Sequence, residues 1–570
     1  MFSEPIVGLP FGPLPSLVEH SAASLPLPLN EQVRIYAPGS PERSSLSAAL
    51  NRMAATEIEM PLLIGGRRIE TGRFARASIP HDHARSLGRA HLAGADEVRA
   101  AISEANRARH DWSRQSWQER AGVFLRAADL LAGPWRDTLN AATMLGQSKT
   151  VHQAEIDAAA ELADFWRFNA AYMLRLYAEQ PASSPGTWNR VDYRPLDGFV
   201  LALTPFNFTA IAGNLPSAPA LLGNTVVWKP AANAMVAAHY VMELLRAAGL
   251  PDGVINLVNG DAAEVAGIAL DDPTLAGVHF TGSTAVFDGI LHIVGKHSSR
   301  YRSYPRVVGE TGGKNFMVAH ASADPASLAA AILRGAYEYQ GQKCSAASRL
   351  FIPRSLWPEL HQRLCDEIGT IRVGDVADFR TFMGAVIDER AWTRHDRAIA
   401  AARDAAATRV LAGGGTDRSR GWFVEPTLIE TDDAASPLLC DELFGPIAAA
   451  LVYPDERFEE VLRHVDEGSA YGLTGSIFAR DRRAVARASD ALRDAAGNFY
   501  VNDKPTGAVV GQQPFGGGRR SGTNDKAGSP WNLLRWASPR TIKETAVPST
   551  DYRYPSMAED PAEAHPAQTA

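Results

Sequence analysis

From residue 198 onward, short apolar runs alternate with helical stretches: GFVLAL, a small-residue helix, TVVWKP, the helix AANAMVAAHYVMELLRAAGL, VINLVNG, another helix, and AGVHFTGS. This alternation specifies a doubly wound parallel sheet, because parallel neighbours need a crossover and the crossover helix covers the sheet face. Such sheets bind ligands beyond the carboxyl ends of their strands. A second series follows Val307, and later Gly-rich loops in AYGLTGSIFARD, GNFYVND and GAVVGQQPFGG return toward its face. A chain of 570 residues can build two such lobes. The expected fold class is α/β, with two doubly wound lobes facing a cleft: residues 41–183 and 197–309 form the first, 310–505 the second.

Between 96 and 177, patterns such as DEVRAAISEANRARHDW and QAEIDAAAELADFWRFNAAYML predict a helical layer, with Asp96 and Ser103 offering cap chemistry. PASSPGTWNRVDYRP and LLRWASPRTIKET read as strands that leave the lobes. Unpaired strand edges recruit partners, so 184–196 and 512–548 are expected to form a small β flap for a homodimer or higher homo-oligomer. Residues 1–40 read as an extended arm over the body, with compact folding from about residue 40. Residues 549–570 read as a polar tail, disordered at its end.

Composition removes several classes of partner. The 57 basic and 64 acidic residues are spread along the chain for a net charge of −7, so no basic field gathers nucleic acid. No apolar run reaches the ~18 residues of a membrane helix, so no membrane insertion is expected. Three cysteines without CxxC spacing argue against a disulfide framework and a structural zinc site. The first 33 residues carry Glu4 and Glu19 but no Lys or Arg, unlike a secretory or transit signal. A cytoplasmic location is expected.

Cys344, in YQGQKCSAASR, lies in a stretch too polar for core. A semi-exposed cysteine in a positively biased loop has a lowered pKa and attacks as thiolate, whereas the commoner fate of a lone cysteine is an inert buried hydrophobe. Gly341, Gln342, Lys343 and Ser345 favour the reactive reading and predict a flexible, accessible loop. Glu310, in VVGETGGKNFMV, is either a general base lowered toward the cleft by two glycines or a turn glutamate. Asn207, in LTPFNFTAI, either donates to an oxyanion or caps a helix.

No GxGxxG is present. In AGVHFTGST, Gly282 and Ser283 stand at a helix N-terminus that suits a phosphate, or merely caps. Lys229, ending TVVWK, reaches the sheet rim to meet a ribose hydroxyl or phosphate, or stays solvated. In CDELFGPI, Glu442 accepts ribose hydroxyls and Phe444 lies against a flat ring, or both belong to an ordinary acidic loop. HDH at 81–83 has a metal-like spacing without further ligands nearby and reads as a turn, so no metal is expected.

In their order and spacing, LTPFNFTAI, NTVVWKP, HFTGS, GETGGKN, GQKCSAASR, DELFGPI, YGLTGSIF and GNFYVND resemble the aldehyde dehydrogenase superfamily over roughly residues 40–550. AEIDAAAELADFWRFNA, AYEYQGQKCSA and TGAVVGQQPFGGGRRSGTNDKAG are similar to the branch that oxidises L-glutamate γ-semialdehyde to glutamate with NAD in proline breakdown. The resemblance implies that Cys344 attacks the aldehyde, and that the Asn207 amide and the Cys344 N–H hold the oxyanion. Hydride then passes to NAD, and Glu310 activates water against the thioester. It implies Thr204, Lys229, Gly282, Ser283, Glu442 and Phe444 as cofactor contacts.

For the substrate, the resemblance implies that the Gly507 and Ala508 N–H groups and the Ser345 hydroxyl receive the α-carboxylate. Phe208 and Phe515 sandwich the methylenes, and Glu161 stands near the polar end. Clustered donors at one end and apolar walls between are what such a substrate requires. Two positions depart from the pattern. Ala508 replaces a common serine, and Ala232 in KPAAN replaces a common acid on the adenine ribose. The partner class implied is a proline dehydrogenase. Rival readings are an NAD(P)-dependent dehydrogenase of another carboxylated semialdehyde, a CoA-acylating dehydrogenase, disfavoured by Glu310, and a non-catalytic binding protein of the same fold, which had no reason to keep Cys344 and Glu310.

Overall fold

The protein is described here by a computed structural model covering residue 25 and residues 28–558. The expected arm over 1–24 and the far end of the tail lie outside the described residues. The first lobe is built on a seven-stranded sheet in the order Arg306–Glu310, Leu275–Thr281, Phe199–Thr204, Thr225–Pro230, Ile255–Leu257, Leu62–Ile64, Arg67–Ile69. The first five strands are parallel and the last two antiparallel. Every residue of Phe199–Thr204 and Thr225–Pro230 is buried. That is why these strands read as unbroken apolar runs: helices cover both faces. The pairing of Leu203 with Lys229 and of Thr281 with Glu310 brings Thr204, Lys229 and Glu310 to one rim.

The second lobe repeats the plan with seven strands, Thr408–Ala412, Thr427–Thr431, Ile447–Tyr453, Ala347–Pro353, Asn315–Ala319, Thr474–Phe478 and Asn498–Val501. Only the Thr408 edge strand is antiparallel. The two-lobe α/β expectation holds.

The helical layer comprises Ala95–Trp112, Trp117–Ala132, Arg136–Gln147 and a long helix running to Ala178. Two cap expectations fail. Gly94 is the N-cap of the first helix, Asp96 sits in its first turn, where a carboxylate suits the dipole, and Ser103 lies inside the helix. The long helix opens into a π turn over Glu155–Glu161, a feature that often marks functional sites. It directs two carboxylates, Glu155 and Glu161, to different surroundings.

Compact packing begins before residue 40. Glu31 accepts from Arg136 and Arg167, both at 2.7 Å, and Tyr36 donates to Glu155 at 2.8 Å. The buried guanidinium of Arg136 needs these acceptors, so the arm is drawn onto the helices. Thr187–Pro195 pairs antiparallel with Ala537–Thr545 through nine residue pairs, leaving Trp188 58% exposed. Residues 512–536 stay with the lobes, where Phe515 pairs with Ala527 and Trp536 is buried.

Candidate active site

A cavity of about 250 Å³ opens between the two sheets' rims. The first lobe contributes Phe208, Ile211 and Glu310, the second Cys344, Ser345 and the loop from Lys504 to Val510. The helix with the π turn adds Asp157, Glu161 and Phe165, and the arm adds Val33. Cys344, Glu310, Ser345, Gly507, Ala508, Phe208, Phe515 and Glu161, all named from the sequence, therefore share one wall-to-wall space. Asn207 stands just behind Phe208, buried.

The loop bearing Cys344 is packed into the interior rather than exposed at the surface, contrary to the sequence-based expectation. Tyr339, Gln340 and Gly341 take left-handed φ values of 52°, 55° and 64°. At Gly341 a Cβ would stand 2.2 Å from the Gly445 carbonyl oxygen, so only glycine fits. The polar residues that suggested exposure are spent inside. Gln340 donates to the Ser148 and Ala385 carbonyls and accepts from Gly384, and Gln342 accepts from Ile387. Asn315 donates to the Cys344 and Ala346 carbonyls at 2.7 and 2.9 Å.

Cys344 itself is only 7% exposed. Burial, and then the charges of Glu310 and Glu442, push its thiol well above the ordinary value, although the Ser345 and Cys344 N–H groups oppose them. The ammonium of the neighbouring Lys343 is engaged by Glu338 at 3.3 Å. A polar sequence window need not be a polar surface; buried amides that bond one another look the same in one dimension.

Glu310 ends the last strand of the first sheet, and burial raises its carboxyl well above the usual range, with Lys526 and the Gly517 N–H opposing. Its Oε1 is buried with no hydrogen-bond partner among the described residues. A buried acceptor left open in this way is suited to take a proton from water. Asn207 does not cap the helix Thr209–Leu221. Asp157 does, accepting from the Thr209 and Ala210 N–H groups at 2.9 and 2.8 Å. The Asn207 amide instead donates to the Gln342 carbonyl at 3.0 Å, which leaves its second N–H for an oxyanion.

Two residues of this inner shell carried no signal in sequence. Lys149 is fully buried, pairs with Asp157 at 2.6 Å, and places its ammonium 4.2 Å from the Phe208 ring centroid and 4.5 Å from that of Tyr339. It braces Phe208 from behind. Lys149 in GQSKT belongs to no local pattern, and Asp157, though inside a helical stretch, is not singled out there; their pairing spans a helix break.

On the cavity wall the Ser345 hydroxyl meets Thr506 Oγ1 at 2.7 Å. Glu161 has no partner among the described residues, and burial, then the charge of Asp157, raises it to about 8. Along the walls, Phe165, Phe208, Ile211, Val510 and Phe515 are apolar.

The proposed cofactor contacts lie on the neighbouring rim. Lys229 is buried, its pKa lowered by that burial, with no hydrogen-bond or ion-pair partner among the described residues. Thr204 accepts from Trp228 Nε1 at 3.0 Å. Ser283 caps the helix Thr284–Lys296 by accepting from Val286, and Gly282 is bonded through its N–H to the Glu310 carbonyl. Glu442 accepts from the Gly313 N–H at 2.8 Å. Phe444, at φ 57°, packs edge-on against Phe206. The buried Lys229, with its ammonium unpartnered among the described residues, fits a nucleotide that brings hydroxyl and phosphate acceptors. His81 sits in a hairpin turn and meets Ser148, and His83, in the strand that follows, meets the Arg418 carbonyl.

A family model described as "Aldehyde dehydrogenase family" matches residues 71–542. A Bos taurus protein named delta-1-pyrroline-5-carboxylate dehydrogenase, mitochondrial, is 48% identical over 529 residues, 93% of this chain and 94% of that one. An Agaricus bisporus protein named delta-1-pyrroline-5-carboxylate dehydrogenase is 48% identical over 530 residues, 92% and 97% of the two chains. Among solved structures, the delta-pyrroline-5-carboxylate dehydrogenase of Mycobacterium tuberculosis bound with NAD is similar with a TM-score of 0.92 and 55% identity, covering 95% of this chain and 100% of that one.

Proposed function

The chain belongs to the aldehyde dehydrogenase family, and within it we propose that it oxidises L-glutamate γ-semialdehyde, the open form of 1-pyrroline-5-carboxylate, to L-glutamate with NAD. The observation that carries this reading is the cavity's lining. One space is lined by a thiol and an open carboxylate, by aromatic walls, and by hydroxyls, backbone N–H groups and a second carboxyl. That set of groups suits an aldehyde, a short methylene chain, and an α-carboxylate with its ammonium.

Cys344 Sγ gives up its proton to water and adds to the aldehyde carbon, and the second Asn207 N–H with the Cys344 backbone N–H receives the oxyanion; one such donor contributes about 10²- to 10³-fold in rate. NAD, when bound, supplies the nicotinamide that accepts the hydride. Glu310 then draws a proton from a water that attacks the thioester, which releases glutamate and restores the thiol. Lys149 and Asp157 hold Phe208 and the Asn207 segment in place for this chemistry.

Lys229, Thr204, Gly282, Ser283, Glu442 and Phe444 are assigned to the cofactor. Gly507, Ala508, Ser345, Phe208, Phe515 and Glu161 are assigned to the substrate. The first lobe carries the cofactor, the second the nucleophile, and the flap strands Thr187–Pro195 and Ala537–Thr545 the contact with another copy, supported by the exposed Trp188. No described helix is long and apolar enough to cross a membrane. The three cysteines are free, as a reducing compartment such as the cytoplasm favours; several relatives are named mitochondrial. A proline dehydrogenase is the partner whose product this cavity takes.

The test is NADH formation with 1-pyrroline-5-carboxylate, acetaldehyde and succinate semialdehyde. The first is expected to react far faster, since it alone fills both polar positions. Equal rates would remove the substrate assignment.

A further inference from the structure

Among the described residues, the cations around the cavity are paired with one exception. Lys149 is bound to Asp157, Lys343 and Arg334 to Glu338, and Lys526 to the Gly497 and Gly516 carbonyls. Lys504 lines the cavity and has no hydrogen-bond or ion-pair partner for its ammonium among the described residues. Its Nζ lies beside Gly507: a Cβ built there would stand 3.5 Å away. Gly507 holds φ +93° and exposes its backbone toward the same space as Ala508, Thr506 and Ser345.

Resting on the substrate reading above, we propose that Lys504 supplies the positive charge that selects aldehydes bearing a remote carboxylate. The loop's own donors are neutral, and the Ser345 hydroxyl is already shared with Thr506. Ala508 adds no hydroxyl. A half-buried ammonium next to those N–H groups completes the pocket as a charge-assisted site. Lys504 binds rather than reacts, so its effect falls on KM and on discrimination between substrates, not on the chemical step.

The experiment compares kcat/KM for glutamate semialdehyde, its ammonium-free analogue 5-oxopentanoate, and pentanal, in the wild type, K504M and K504R. K504M is expected to lower the preference for both carboxylated aldehydes over pentanal by about 10- to 100-fold, the range for a hydrogen bond to a charged group. The loss should lie in KM, and K504R should keep most of the preference. A general structural role would depress all three substrates together and leave the ratios unchanged, overturning the proposal, as would K504M with wild-type ratios. If the wild type itself shows no preference for carboxylated aldehydes, the substrate reading fails first. If only K504M is without effect, this inference alone fails.

Discussion

Glu155 and Glu161 open and close the same π turn, yet the protein treats them oppositely. Glu155 accepts from the Arg34 N–H, Tyr36, Asn140 and Arg136. Burial alone would raise its pKa, but these donors bring it below the ordinary value. Glu161, six positions on, receives no donor and rises to about 8. The difference separates two uses of buried charge. A carboxylate whose lone pairs are all taken holds elements together, here the arm, two helices and the π turn. One left open inside a cavity costs stability and is kept where a ligand can complete it. Cys344, Glu310, Lys504 and Lys229 fall on the open side; Arg136, Lys149 and Asp157 on the satisfied side.

The sharpest break should come from the nucleophile. Cys344→Ala is expected to cut turnover by about 10⁴-fold or more while NAD binding, followed by fluorescence quenching, and the thermal transition persist. Loss of folding together with activity would place Cys344 on the satisfied side. Next, Glu310→Gln should lower steady-state turnover by about 10²- to 10⁴-fold and keep a burst of NADH, because acylation precedes its step; a normal steady state would refute the assigned base.

On the other side of the comparison, Arg136→Met leaves Glu155 and Glu31 without their shared cation and should destabilise the fold by about 3–5 kcal/mol, seen as an earlier thermal transition. Unaltered melting would mean that the arm is not held by this network. The smallest effect concerns Glu161. Its folded pKa of about 8 exceeds the ordinary 4.5, so the folded state binds more protons between those values. Its contribution to stability is full below about pH 4.5 and is lost as pH rises through 8. Glu161→Gln removes this dependence, and its melting temperature relative to wild type should climb by a few degrees between pH 5 and pH 8.5. A constant difference would show that Glu161 has partners in solution.

Much of the site was legible because its residues end strands or punctuate loops. Glu310 closes an apolar run, Gly341 marks a backbone that no side chain tolerates, and the Gly-rich stretch after 506 announces exposed N–H groups. What escaped were residues whose meaning depends on a distant partner. Asp157 reads as one acid on an alanine-rich helix until the N-terminus of Thr209–Leu221 meets it. Lys149 is an unremarked loop lysine until Phe208 and Tyr339 enclose it. Lys504 gained significance only from its lack of a partner, which no linear pattern displays.

Residue order alone established the alternation of strands and helices, hence two parallel sheets with reactive side chains at their carboxyl rims, since periodicity and glycine placement are local properties of the backbone. The electrostatic state of those side chains was settled only by folding. A thiol's pKa depends on which carboxylates lie beside it and how much water is excluded. For Cys344 those neighbours, Glu310 and Glu442, come from far along the chain on either side.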